Sequence, residues 1–380
     1  MGAEVLLYGY GLVCISMLVF NLLYMVHLHT DDRRRVHRTD WFRRQAASQL
    51  ETIRSGGQAS ARHLQMLRRR LARVSHLLAF DRLLDELDGR DPAVRQYIQQ
   101  FEPVCLDLAR AYLRRENTQA AYFCHFLYRH QLQRFMPAEQ IQQLLLSYLQ
   151  KDSLYCRVNA LKALCTFGNP SVVTDALLRL QNRDEGQIRE KLVTETLCSY
   201  TGDSDALIAQ LLQSFDRFSL HVQRAILDYI RFTSGNYCDQ MLALLQDDSR
   251  NKELHFPAIR YLGRYPYEPA RALLLRLARD DDPVRWEYAA VSSAALAGYT
   301  GQDVQEALVQ ALQSPNWYVR YNASASLERQ GLSYKSLLGR LRADDRYARE
   351  MLTYRLEQRR LEQQAQTANA QPARREAAPV

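Results

Sequence analysis

The chain has 380 residues, 47% of them hydrophobic, with 50 Lys and Arg against 42 Asp and Glu for a net charge of +8. That apolar content excludes a disordered or fibrous chain, and 15 Gly with 11 Pro are too few for a turn-rich all-β protein. Seven cysteines, odd in number and without a C-x-x-C pair, exclude a disulfide framework and a cysteine zinc site and read as reduced thiols.

Val5 to Leu28, "VLLYGYGLVCISMLVFNLLYMVHL", holds 24 residues without Asp, Glu, Lys or Arg. As a helix it spans ~36 Å, enough for a hydrocarbon core of about 30 Å. A signal peptide would need a basic start, a shorter apolar run and a small-residue cleavage site. Here Glu4 stands before the run and "HLHTDDRRR" closes it, so residues 1–30 are predicted to be an uncleaved anchor. No Lys or Arg precedes it, whereas Arg33, Arg34, Arg35, Arg38, Arg43 and Arg44 follow. The positive-inside rule then predicts the N-terminus outside and the C-terminal side in the cytoplasm.

Residues 31–76 carry 12 Arg against 4 acidic residues, whereas residues 77–380 carry 38 basic and 37 acidic ones. The charge excess therefore lies next to the apolar segment, where anionic lipid headgroups would be, with those six arginines at the membrane surface. A nucleic-acid-binding array would spread its basic residues through the fold, so no nucleic-acid partner is expected. "SGGQ" at 55–58 marks a joint after the helix around Trp41. From Ser60, a single helix is predicted with Leu64, Leu67, Leu71, Val74 and Leu78 on one stripe and Arg62, Arg68, Arg69, Arg70 and Arg73 around the rest. Such a helix either rests on a membrane surface or packs on the helices that follow.

Residues 77–150 are Leu-, Tyr- and Gln-rich with a helical pattern, and "DPAVRQYIQQF" from Asp91 suggests that degenerate repeats begin there. Clearer repeats fill 151–345. "DSLYCRVNALKAL" (152–164), "DDPVRWEYAAVSSAAL" (from Asp281) and "SPNWYVRYNASASL" (314–327) share an acidic or Ser start and an apolar-Arg pair. Weaker copies start at Asp184, Leu220 and Glu253. Marking the residue before Arg, or before its substitutes Gln223 and His255, gives Cys156, Ile188, Val222, Leu254, Val284 and Val319, at intervals of 32, 34, 32, 30 and 35 residues. A near-constant period of this size predicts stacked supersecondary units. Each unit reads as two helices, divided by Gly168-Asn169-Pro170, Gly202-Asp203-Ser204, Gly235-Asn236 or Gly301-Gln302-Asp303. Asp152, Asp184 and Asp282 precede first helices, where the positive helix end favours them. Residues 346–364 read as a capping helix and 365–380 as a disordered tail.

The pattern D-x-x-V-R-x-x-A-x-x-x-L over Asp152 to Arg342 resembles HEAT repeats, in the short form common in bacteria and shared with phycobilisome-lyase-type repeats. The resemblance implies an all-α fold, a HEAT-like α-solenoid behind an N-terminal transmembrane helix. It implies an extended surface for protein partners and no catalytic constellation, as in a bacterial membrane-tethered scaffold or adaptor. Anchored HEAT proteins look like accessory subunits of membrane complexes, including glycosyltransferases that export polysaccharide. The alternative that the resemblance also brings is a lyase-like enzyme acting on a protein-bound chromophore.

Arg157, Arg189, Arg285 and Arg320 recur in phase, which assigns them a structural role at helix starts. No P-loop, G-x-S-x-G, H-E-x-x-H or paired-acid motif occurs, and no catalytic residue, cofactor, metal or small-molecule substrate is predicted. His27 and His29 fit interfacial histidines better than a metal site. His125 and His130 are five apart, poorly placed to share one helix face with Cys124. Aromatics concentrate in "RYLGRYPYEP" (260–269) and in Trp286, Tyr288, Trp317, Tyr318 and Tyr321. These last five are the candidate protein-partner contacts, because Trp, Tyr and Arg dominate binding hot spots.

Overall fold

The structure is a computed structural model that describes residues 2–132, 139–181, 189–332, 336, 337, 339 and 345–375. Among the described residues all regular structure is helical. The chain divides into two units, Met1–Ile188 with Ser199–Gln210, and Arg189–Cys198 with Leu211–Val380.

In the first unit, α1 is one helix from Gly2 to Arg54. The apolar segment and the helix around Trp41 are thus continuous. Tyr8–Met25, with mean hydropathy 1.6 and none of it buried, is long and apolar enough to cross a membrane. Further along, Thr39, Phe42, Ala46, Leu50 and Ile53 turn inward at three- and four-residue steps and form one wall of the core. The helix ends at "SGG", where Gly56 has φ +88°, a conformation that suits glycine.

The single stripe expected from Ser60 to Leu78 is broken. α2 runs Ala61–Leu71, capped by the Ser60 side chain, and α3 runs Val74–Glu86. The cause lies far along the chain. The Leu71 carbonyl, which in an unbroken helix would accept the Ser75 N–H, accepts the Tyr112 hydroxyl at 2.8 Å. The break shifts the phase, so Leu67, Leu71 and Leu77 are fully buried while Val74 and Leu78 are only half-buried. The stripe of α2 thereby packs on its neighbours with its arginines outward. Of the two readings of this helix, packing describes its apolar face.

α4 (Pro92–Gln100), α5 (Glu102–Leu113), α6 (Asn117–His130), α7 (Glu139–Tyr148), α8 (Leu154–Thr166) and α9 (Pro170–Gln181) complete this unit together with the start of α11 (Ser204–Gln213). Asp91 caps α4 ahead of Pro92 at the first helical position. Ser153, rather than Asp152, caps α8. At the joint before α9, Gly168 takes φ +67° and the Asn169 carboxamide accepts from Ser171 N and Val172 N. Asp203 caps α11 in the same way. A stack of Tyr112, Phe123 and Tyr148, each fully buried, joins α5, α6 and α7.

The second unit holds α10 (Glu190–Leu197), α12 (Leu220–Thr233), α13 (Cys238–Gln246), α14 (Lys252–Arg264), α15 (Glu268–Ala278), α16 (Trp286–Ala295), α17 (Gln302–Ala311), α18 (Trp317–Arg329) and α19 (Arg346–Arg375). α10 packs on α12, α12 on α14, α14 on α16, α16 on α18 and α18 on α19. The alternate helices α13, α15 and α17 pack on α14, α16 and α18. α19 continues beyond 364, through the stretch read as a tail, as far as Arg375. Its Ala, Gln and Arg are strong helix formers.

The repeat markers Cys156, Val222, Leu254 and Val319 are buried; Ile188 lies outside the described residues. Val284 does not match them, being 81% exposed. Asp282 folds the chain back, its carboxylate accepting from Val284 N and its carbonyl from Arg285 N, so α16 starts only at Trp286. Hydrogen bonds from Asn322 to the Ala290 carbonyl and from Ser326 to the Ser293 carbonyl pair α18 with α16 at separations of 32 and 33 residues. The partner of Val319 is therefore at 286–287. The D-P-V-R string is a turn that imitates a helix start.

The many tyrosines have a structural use in both units. Tyr112, Tyr148 and Tyr200 donate to the carbonyls of Leu71, Ala109 and Gly168; Tyr261, Tyr265 and Tyr299 donate to those of Ser234, Arg231 and Leu262. The rings of Tyr112, Tyr148, Tyr261 and Tyr299 fill core volume, and each of the six hydroxyls satisfies a carbonyl near the end of another helix, a bond worth about 1 kcal/mol.

Candidate functional surfaces

The four in-phase arginines occupy three kinds of place. Arg157 is 2% exposed and Arg320 8% exposed. Arg320 Nη1 donates to the Ser314 and Pro315 carbonyls at 2.7 and 2.8 Å, and its guanidinium lies 5.0 Å over the Tyr347 ring. Its bonds thus tie the turn before its own helix. Arg189 is exposed at the N-cap of α10. Arg285, with half its side chain exposed, pairs with Asp280 of its own turn at 3.2 Å and lies over Tyr288. It lacks the buried carbonyl contacts of Arg320, because the turn at Asp282 holds it outside α16.

The aromatic residues separate into two sets. Tyr288 faces α14: its hydroxyl donates to His255 Nδ1 at 2.7 Å, and its ring meets Phe256. Tyr261 and Tyr265 of the "RYLGRYPYEP" stretch are also used internally. The other four form a strip across α16, α18 and α19. Trp286 stacks on Tyr318 at 5.5 Å, Tyr318 meets Trp317 edge-on at 5.2 Å, and Trp317 stacks on Tyr321 at 4.9 Å. Trp317 also meets Tyr354 edge-on at 6.2 Å. Tyr354 and Tyr347 are contributions of α19 that the sequence pattern did not single out, since Glu350 onward reads simply as a capping helix. Arg355 holds that helix in place, with Nη2 2.7 Å from Glu328 and its guanidinium over Tyr321. Trp317, Tyr318, Tyr347 and Tyr354 remain 43–58% exposed. Beside the strip lies a recess lined by Asp280, Asp281, Asp282, Pro283, Trp286 and Pro315.

In the basic block that follows the apolar segment, Arg33, Arg34 and Arg44 are exposed and Arg38 is half-buried. Arg35 has a partner within the chain. Arg43 is committed to Glu86 and Asp40, Arg54 to Asp91 and Arg68 to Asp107. The structure thus divides a uniformly basic sequence into arginines neutralised by the fold and arginines open to solvent.

Two polar networks were not evident in the sequence. In the first unit the buried Asp81 carboxylate of α3 accepts from the Tyr122 hydroxyl, His130 Nε2–H and Arg129 of α6. Burial alone would push this carboxyl up; the hydrogen bonds from His130 and Tyr122, with the nearby positive charge, hold it below the usual range. In the second unit Arg224 bridges Glu190 and Glu253 at 3.1 and 3.0 Å, joining α10, α12 and α14.

All seven cysteines are free, and burial pushes the thiols of Cys105, Cys124 and Cys165 up, away from nucleophilic thiolate. Among the described residues no group of His, Cys, Asp or Glu could hold a metal ion. The side chains of His27 and His29 lie outside the described residues. No protein-family model and no curated protein matches the chain, so the function rests on these surfaces themselves.

Proposed function

We propose that this protein is a membrane-tethered adaptor that docks a protein partner on the aromatic strip of α16, α18 and α19. The strip carries the reading: two tryptophans and three tyrosines share one surface, three of them 43–57% exposed, where a monomer gains nothing by leaving them in water. The repeated helix pairs form a HEAT-like α-solenoid, an architecture that offers extended binding surfaces. The acidic recess beside Trp286 favours a basic side chain on the partner. Such a chain serves as an accessory subunit of a membrane complex, a polysaccharide glycosyltransferase being one example. Trp317→Ala is expected to weaken the partner that co-purifies from mild-detergent membranes by about 2 kcal/mol, roughly thirtyfold, with melting changed by less than about 1 kcal/mol. Undiminished co-purification together with a lowered melting temperature would place Trp317 in internal packing and end the reading.

The tether is Tyr8–Met25, with the open arginines of α1 against anionic headgroups and the C-terminal side in the cytoplasm. Its support is that a helix apolar on every face has no neighbour to bury it. The full chain should stay with membranes washed in alkaline carbonate, and a C-terminal reporter should be active on the cytoplasmic side only. Release by carbonate, or a reporter active outside, overturns the tether or its orientation respectively.

A further inference from the structure

We propose that the α2–α3 junction is a binding site for a phosphate monoester, held by Arg38, Arg70 and Arg73 beside Trp41 and His76. The proposal deepens the lipid contact suggested above and rests on the tether only for the source of the phosphate.

Three helices bring these groups together. The Arg70 guanidinium lies 4.2 Å over the ring of Trp41 on α1. Trp41 meets Phe42 edge-on at 5.0 Å, and Phe42 meets His76 of α3 at 6.2 Å. Arg73 is the N-cap residue of α3. Arg38 stands one turn before Trp41 on α1 and Arg73 one turn before His76, and after burial, the largest cause, the charges of Arg38, Arg70 and Arg73 all act to push the His76 pKa down. None of the three has a carboxylate partner among the described residues. This is unlike Arg43, Arg54 and Arg68 in the same unit, each of which does.

Like charges gathered without a counter-charge repel, and an anion relieves them. The backbone adds to the same corner. The N-cap of α3 supplies no side-chain acceptor, and no acidic residue stands in its first turn. Ser75 N–H has lost the Leu71 carbonyl to the Tyr112 hydroxyl. A positive helix end thus opens onto the arginines. One guanidinium fork would satisfy a carboxylate; three, with a helix end, match the charge and the three terminal oxygens of a phosphate monoester.

The source follows from the length of α1. Arg38 lies ten residues beyond Leu28 on an uninterrupted helix, which is ~15 Å, whereas the headgroup layer is roughly 5–7 Å deep on each side. Phosphodiesters of ordinary lipids reach Arg33 and Arg34. The junction calls for a terminal phosphate that projects from the surface or arrives from solution.

The test uses the full chain. One arm places it in nanodiscs of zwitterionic lipid with and without a phosphatidylinositol 4-phosphate fraction. The other titrates the soluble headgroup, inositol 1,4-bisphosphate, into the chain in mild detergent. Saturable binding is expected in at least one arm, and the arm that shows it identifies the source. Arg70→Gln with Arg73→Gln should cut it by at least about tenfold, while Arg62→Gln with Arg69→Gln, an equal charge loss within α2, should leave it within about twofold. All these side chains are exposed, and unchanged melting confirms the fold. No binding in either arm, or equal loss in the two double variants, overturns the site. A chain released by carbonate that still binds the soluble headgroup through Arg70 and Arg73 loses the tether and keeps the site. A chain retained in membranes without that dependence does the reverse.

Discussion

Asp81→Ala is expected to destabilise the first unit by about 3–5 kcal/mol, the largest effect of any single polar truncation proposed for this chain. The carboxylate is 3% exposed and is the shared acceptor for Tyr122, His130 and Arg129. Its removal leaves the half-buried Tyr122 hydroxyl and His130 ring without their acceptor, and a polar group that loses its partner away from water costs up to about 1–3 kcal/mol. Arg129 retains Asp85 at 2.6 Å and suffers less. Asp81→Asn keeps an acceptor oxygen and loses the charge, so it should fall between wild type and alanine. The pH dependence has a fixed sign. The folded carboxyl titrates below its unfolded value of about 3.9, so its stabilisation is fully present above pH ~4 and is lost as the pH falls through the folded value. Urea melts at pH 7 should therefore separate wild type from Asp81→Asn, and the gap should narrow below about pH 4. Equal stability of Asp81→Ala and wild type at pH 7 would show that the network contributes nothing net.

Arg320→Ala is expected to cost about 3 kcal/mol in the second unit, whereas Arg285→Ala should cost less than about 1 kcal/mol. At Arg320 two carbonyls, those of Ser314 and Pro315, lose a charged donor, and the ring of Tyr347 loses its cation. The contact with Asp280 that Arg285 loses is a half-exposed ion pair, the kind that water and salt screen. A shift of roughly 6–12 °C in the melting of Arg320→Ala, against one of less than about 4 °C for Arg285→Ala, is the expected contrast. Equal shifts would mean that the shared motif, and not its setting, decides the role of the arginine. The sequence made these two positions equivalent; their burial makes them different.

The aromatic surface shows the same division of information. Trp317 and Tyr321 are one helical turn apart in the chain, so their common face was legible before any fold was known. Tyr288, two residues from Trp286, turns to His255 instead, and Tyr354 joins the strip from a helix with no repeat signature. Neighbours in sequence parted and distant residues met, because the packing of α14 and α19 decides which way each ring is covered.

By itself the sequence determined the all-helical class, the apolar N-terminal helix and the helix pairs of about 32 residues. These follow from local causes: a three-to-four-residue apolar period, Gly at positive φ, and side-chain caps such as Asn169 and Asp203. Only the tertiary structure decided where helices break and how they register. The Tyr112 hydroxyl reaches back 41 residues to take the Leu71 carbonyl and end α2, and Asp81 gathers Tyr122 and His130 from 41 and 49 residues away. Ser326 and Asn322 fix α18 against α16 and so exclude Val284 from the core that its motif had assigned it. A backbone carbonyl carries no signature in the sequence, so the hydroxyl or amide that will claim it becomes known only when the helices have packed.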